Sequence, residues 1–151
     1  MNANATITSK SWLQMGFFLF LAFCVFGVAY AQEDAAHKVV IQVSTGDEDV
    51  QKMALNNAVN VQKHYGIDNV AIEIVAYGPG LKLLTKRSEY DDRVESLAQQ
   101  NITFSACQNT INKVKKKYGM TPPLLKGVQV VDAGVVRIME LQNKGYAYVR
   151  P

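Results

Sequence analysis

The sequence predicts an α/β protein in three layers, with a mostly parallel, five-stranded sheet flanked by helices. Short runs rich in valine and isoleucine alternate with segments whose apolar residues recur at helical spacing. The strand-like runs are almost continuously apolar, which is typical of strands that are covered on both faces. Because strands that alternate with helices form βαβ units, we expect the strands to run parallel.

The predicted strands share a short length and a high content of β-branched residues. They are Lys38–Val43, Val70–Tyr77, Ile102–Ala106, Val128–Val131 and Tyr146–Val149.

The predicted helices have apolar residues on one face, and the longer ones end at a glycine, as helices often do. They are Val50–Tyr65, Tyr90–Gln100, Gln108–Tyr118 and Ala133–Lys144, with a helical turn at Leu81–Leu84. This element order predicts a small sheet of flavodoxin-like or related topology. In such sheets ligands bind beyond the carboxyl ends of the strands.

The first 31 residues have the pattern of a secretory signal peptide. Lys10 supplies the positive charge, Met15–Val28 is an uncharged apolar run, and Ala29-Tyr30-Ala31 is a small-x-small cleavage site. We therefore expect cleavage after Ala31, export to the periplasm and a mature domain over residues 32–151. An anchor that stays uncleaved is the alternative, although the apolar run is shorter than the ~20 residues of a spanning helix. We expect no stable membrane insertion after cleavage.

The charge of the mature chain is nearly balanced. Loss of Lys10 lowers the count of Lys and Arg from 16 to 15, against 13 Asp and Glu, so the net charge falls from +3 to +2. Such a balance does not indicate a nucleic-acid partner.

Cys107 is the candidate reactive residue. It stands where the predicted third strand ends and the next helix begins. Backbone N–H groups at the start of a helix favour a thiolate. Ser105, Asn109 and Thr110 are close in sequence and could donate hydrogen bonds. Cys24 leaves with the signal peptide, so chemistry at Cys107 must be completed on another molecule. The plain alternative is a buried cysteine that only fills space.

Other segments at the same edge of the sheet give weaker signals. Gly78, Pro79 and Gly80 follow the second strand, and Asp132 follows the fourth, so all are expected to line a cleft. The glycines lack the spacing of a phosphate loop, and the sequence predicts neither a cofactor nor a metal ion. The acidic run Asp47–Asp49 resembles a phosphoacceptor or Mg²⁺ site, but helix capping explains it better.

Three motifs make residues 37–151 resemble the DsrE/DsrF-like proteins, the sulfur-relay family with the YchN-like fold. They are the C-terminal run Leu125–Pro151, the cysteine segment Phe104–Thr110 and the loop Ala76–Leu81. The C-terminal run is similar to that of a periplasmic, exported branch of the family. The relay members themselves are cytoplasmic, which is a departure from the pattern seen here.

The resemblance implies that Cys107 accepts sulfur as a persulfide or exchanges thiols, in the manner of a sulfurtransferase-like carrier. It also implies a homo-oligomer, a trimer or a hexamer, and an unidentified sulfur donor and acceptor, either a protein or a small thiol. The main alternative is a non-enzymatic oligomeric module that binds a small ligand or a protein partner. A flavin- or nucleotide-binding protein is the weakest alternative because no phosphate loop is present.

Overall fold

Five parallel strands form a single sheet in the computed structural model, which describes residues 35–151. The strands are β1 (His37–Val43), β2 (Val70–Ala76), β3 (Ile102–Cys107), β4 (Val128–Val131) and β5 (Ala147–Val149). The predicted signal peptide and its cleavage site lie outside the described residues. All five predicted strands are present, with ends that differ by one residue at most.

Four α-helices connect these strands, together with one 3-10 helix. They are α1 (Glu48–Tyr65), the 3-10 helix (Gly78–Leu84), α2 (Asp91–Ala98), α3 (Gln108–Tyr118) and α4 (Gly134–Asn143). The predicted helical turn at Leu81–Leu84 is the second half of the 3-10 helix, which begins earlier because Pro79 stands in its first turn. No helix within residues 35–151 is both long and apolar enough to span a bilayer.

The order of the strands across the sheet is β4-β3-β2-β1-β5, and every pairing is parallel. The predicted α/β class with a parallel sheet between helices is therefore confirmed. The order itself differs from the flavodoxin arrangement 2-1-3-4-5. Here the chain adds β2, β3 and β4 in sequence on one side of β1, and it returns to the other side of β1 only for the last strand.

This order places the helices unequally on the two faces of the sheet. The main core lies on the first face, where β-strand residues such as Ile41, Ile74 and Phe104 pack against α1, α2, α3 and the 3-10 helix. The second face carries a small apolar cluster in which Ile138 and Leu141 of α4 are grouped with residues of β1 and β2. Within the described residues, α4 is the only helix on that second face.

The switch of faces opens a crevice between two neighbouring strands. The connection after β3 enters α3 on the first face, whereas the connection after β4 enters α4 on the second face. Neighbouring connections that diverge in this way define a topological switch point, the place where ligands bind in open α/β sheets. The crevice therefore lies beyond the carboxyl ends of β3 and β4.

A close backbone approach fixes the loop after β2. A Cβ atom on Gly80 would lie 2.2 Å from the carbonyl oxygen of Val43, so only glycine fits between the 3-10 helix and the end of β1. The Tyr77 N–H donates to that same carbonyl over 3.1 Å. The loop is thus held against β1 by contacts that leave no room for a side chain.

Gly80→Ala is expected to lower the free energy of unfolding by about 1–3 kcal/mol, because the new methyl group forces the backbone apart. Gly46→Ala is the matched control, since its Cβ would meet Pro79 Cβ at an ordinary 3.6 Å. Urea unfolding of both variants measures the difference. Equal stability of the two variants would show that the approach at Gly80 is not constrained.

Candidate functional site

Cys107 lies at the crevice between β3 and β4. It is the last residue of β3 and the N-cap of α3, and only 5 % of its surface is exposed. It is the one free cysteine within residues 35–151. The residue also lines a cleft of about 560 Å³, so its limited exposed surface faces an open space rather than the core.

Groups at the starts of two helices lower the pKa of the Cys107 thiol. Burial raises the pKa of the thiol, but donors at Gly134, Thr110 and Asn109 outweigh it and bring the pKa below its ordinary value. Three of these donors are backbone N–H groups, and the fourth is the Thr110 hydroxyl. Asn109 and Thr110 belong to the first turn of α3, and Gly134 begins α4. A thiolate here is stabilised without any cationic side chain.

The loops around Cys107 are tied to one another. The Gly78 N–H donates to the Thr110 hydroxyl oxygen over 3.0 Å, which leaves the Thr110 hydrogen free to point at the sulfur. The Asn109 N–H donates to the Asp132 carbonyl over 3.3 Å. These bonds join the ends of β2, β3 and β4 at a single place.

The cleft carries two basic side chains within a largely apolar lining. Lys113 and Lys117 lie one turn apart on α3, line the cleft and carry its positive charge. The Lys117 ammonium is 5.0 Å from the ring centroid of Tyr118. An apolar groove of about 540 Å³ shares Gly78, Pro79, Val114 and Tyr118 with the cleft as lining residues. A small anion beside an apolar group would match this pair of spaces.

The structure brings most of the predicted site residues together. Asn109 and Thr110 line the cleft beside Cys107 and lower the pKa of its thiol, and Gly78 and Pro79 line the same cleft. Asp132 takes part through its backbone carbonyl. Ser105 does not act on the thiol, because its hydroxyl donates to Glu73 instead. Gly80 is buried against β1, so it shapes the loop rather than the cleft.

Sequence reasoning missed three residues that matter here. The Gly134 N–H lowers the pKa of the Cys107 thiol, and Gly134 lies at the cleft because α4 starts beside α3. Glu73 and Arg137 form a largely buried ion pair below that helix. A charged residue inside the apolar strand Val70–Ala76 was the one signal in the sequence that could have suggested such a pair.

The acidic run after β1 caps a helix. The Asp47 carboxylate accepts the N–H groups of Asp49 and Val50, over 2.9 and 3.2 Å. Within residues 35–151 no group of three His, Cys, Asp or Glu residues is arranged to hold a metal ion.

The fold and the site together define a parallel α/β domain with a stabilised, unpaired cysteine at its topological switch point. Residues 37–151 match the DsrE/DsrF-like family, and the chain belongs to that family. The solved structure of MTH1491 from Methanobacterium thermoautotrophicum, described as a protein of unknown function, is 35 % identical. The match covers 76 % of this chain and 99 % of that one, with a TM-score of 0.69. No curated protein matches the chain.

Thr110→Val is expected to move the pH of half-maximal Cys107 alkylation upward, because the thiolate loses a hydrogen bond. Loss of a charge-assisted hydrogen bond is expected to lower the thiolate fraction about tenfold at a pH below the midpoint. The thiolate that remains has a higher pKa and is more nucleophilic, which recovers part of the rate. Iodoacetamide should therefore react about threefold more slowly below the midpoint. Thr110→Ser keeps the hydroxyl and should react like the parent protein. An unchanged midpoint in Thr110→Val would contradict a role for this hydroxyl.

Proposed function

We propose that this protein is a sulfur carrier in which Cys107 holds a sulfur atom as a persulfide and passes it to another thiol. The observation that carries the proposal is the place of Cys107 in a cleft between the starts of α3 and α4, where Gly134, Thr110 and Asn109 lower the pKa of its thiol. A low thiol pKa keeps a fraction of the cysteine as thiolate, which is the form that attacks sulfur. Membership of the DsrE/DsrF-like family supports the same chemistry.

The proposed reaction has two steps and needs no external oxidant. The Cys107 thiolate attacks the outer sulfur of a donor R–S–S–H, so a new S–S bond forms, the S–S bond of the donor breaks, and R–S⁻ leaves. The terminal sulfur keeps its proton and becomes the Cys107 persulfide. A thiolate of the acceptor then attacks this terminal sulfur and releases the Cys107 thiolate. The N–H groups of Asn109, Thr110 and Gly134 stabilise the same anion before and after transfer.

The environment of Cys107 suits a donor that is small and anionic. Lys113 and Lys117 line the mouth of the cleft, where they attract negative charge. Because the described part of the chain has no second free cysteine, the sulfur must leave to a separate molecule.

A binding module without turnover is the second candidate. The apolar groove beside the cleft, lined by Leu81, Val114, Met120 and the two prolines Pro122 and Pro123, is large enough for a small apolar ligand. In that case Cys107 would line the binding site without reacting.

We further propose that the protein is exported and processed after Ala31. The support is the charge, the apolar run and the cleavage pattern of the first 31 residues. An N-terminus at Gln32 in the intact mass of the purified protein would bear this out.

Incubation of the purified protein with sodium polysulfide is expected to add about 32 Da for each sulfur atom bound at Cys107. Intact-mass spectrometry measures the addition and also reads the N-terminus. Reduced glutathione should then remove the added mass, because it acts as an acceptor thiol.

Cys107→Ser is the control and should gain no mass. If the parent protein stays unmodified under native conditions while its thiol remains free, the carrier function is wrong and the binding module is favoured.

We also propose that the chain forms a homo-oligomer, a trimer or a hexamer as the family resemblance implies. A parallel sheet is normally covered on both faces, yet among residues 35–151 α4 alone covers the second face. The outer side of α4 exposes an apolar stripe, formed by Val135 (55 %), Val136 (48 %) and Met139 (59 %). Val135 also lines the Cys107 cleft, so a second copy bound on this stripe would lie beside the site.

Light scattering after gel filtration is expected to give three or six times the mass of one chain. The double variant Val136→Glu, Met139→Glu should dissociate it, because two buried charges oppose the interface. Met53→Glu is the matched control, since Met53 is also exposed (49 %) but lies on α1, on the opposite face. A monomer of the parent protein at micromolar concentration would contradict the proposal.

A further inference from the structure

A carboxylate lies inside the sheet at Glu73, in the middle of β2. Only 4 % of this residue is exposed, and its neighbours in the strand are Ile72 and Ile74. A buried carboxylate is costly unless a cation and hydrogen bonds compensate for the lost water. The partners of Glu73 therefore show what the charge is used for.

Both oxygens of Glu73 are held by Arg137 of α4. The Arg137 Nε donates to Oε1 and its Nη2 donates to Oε2, each over 2.8 Å. This parallel two-bond geometry fixes the guanidinium in orientation as well as in distance. The Ser105 hydroxyl adds a third bond to Oε1 over 2.5 Å, and Gln129 Nε2 donates to the Ser105 oxygen over 2.8 Å. The network joins β2, β3 and β4 to α4.

The ion pair acts on the start of α4. Arg137 follows Gly134 by one helical turn, and its own N–H donates to the Ala133 carbonyl over 2.9 Å. Ala133 is the N-cap, and it offers no side-chain hydrogen bond to the first turn. The first turn of α4 thus lacks the usual cap, and its N–H groups remain available to a ligand or to Cys107.

A second contact limits how the first turn of α4 can move. A Cβ atom on Gly134 would lie 2.8 Å from Cδ1 of Tyr77, so the helix start already touches the ring on that side. The ion pair holds the other end of the same turn on the sheet. Ser105 of the network and Cys107 stand two residues apart on β3, and their side chains therefore leave the strand on the same face.

We propose that Glu73 and Arg137 are positioning residues, which hold the first turn of α4 so that Gly134 stays beside Cys107 in their shared cleft and thereby control the reactivity of that cysteine. This inference rests on the proposed carrier function for its biological meaning. It adds that an ion pair between β2 and α4 controls how readily the Cys107 thiol reacts.

Direct electrostatics and positioning predict opposite effects of removing the Glu73 charge. Loss of a nearby negative charge, by itself, favours the thiolate and lowers the pH of half-maximal reaction. Loss of positioning removes a hydrogen bond from the thiolate and raises that pH. Glu73→Gln separates the two, because the amide cannot accept both bonds of the guanidinium fork.

The other titratable groups around Cys107 are left unchanged by this substitution. They lie on α3, in the loop after β2 and at the end of β4, and they are Lys113, Lys117, Tyr118, Tyr77 and Asp132.

The experiment measures iodoacetamide alkylation of Cys107 against pH in folded protein. Glu73→Gln is expected to raise the pH at the midpoint of alkylation and to slow alkylation about threefold below that pH. The thiolate fraction falls about tenfold there, and the higher nucleophilicity of the remaining thiolate offsets part of the loss. Arg137→Lys keeps the positive charge but loses the two-bond geometry, and it should shift the midpoint in the same direction. Circular dichroism checks that each variant is folded, and either variant alone suffices for the test.

Glu140→Gln is the matched control. Glu140 contacts Arg137 from the solvent side, with 3.6 Å between Oε2 and Nη1, and takes no part in the hydrogen bonds among Glu73, Ser105 and Gln129. Its variant should keep the parent midpoint. A midpoint that falls or stays constant in Glu73→Gln, or one that rises equally in Glu140→Gln, overturns the positioning role. Failure of the parent protein to take up sulfur, with the Glu73→Gln shift still present, would instead refute the carrier function alone.

Discussion

The right-handedness of parallel crossover connections decides where the site lies. Each crossover connection between parallel strands of one sheet has the same right-handed sense. Because β2, β3 and β4 are added in one direction and β5 in the other, α4 must cross on the opposite face from α1, α2 and α3. The starts of α3 and α4 are thereby separated around the ends of β3 and β4. Cys107 occupies the gap, and its four donors come from both helices.

Most of the fold could be predicted because each strand and helix is specified locally. Apolar runs, helical spacing and terminal glycines gave every strand and helix, with small errors at the ends. The strand order could not be predicted, since it depends on contacts between residues distant in sequence. The last strand completes that order: β5 pairs with β1 through three residues, Ala147–Val149, and their sequence does not specify β1 as the partner.

Only the site residues that lie close together along the chain could be predicted from the sequence. Cys107, Asn109 and Thr110 lie on one strand-to-helix junction, so their association follows from position. Gly134 lies at the junction of β4 and α4, which is distant in sequence. It contributes a backbone N–H, a group that every residue except proline has, so the residue type does not indicate the role. Ser105 has the right side chain on the right strand, but the carboxylate of Glu73 competes for its hydroxyl and offers a charged acceptor.

The hydrogen bond from Gly134 makes the state of the cysteine depend on the last helix of the chain. In an unfolded or partly synthesised chain Cys107 is an ordinary thiol, because the N–H groups that stabilise its anion are not yet assembled. The thiolate gains its full population only when α4 has docked. The chemistry therefore becomes available only when folding is complete, and a chain that is exported before it folds would cross the membrane with its cysteine in a less reactive form.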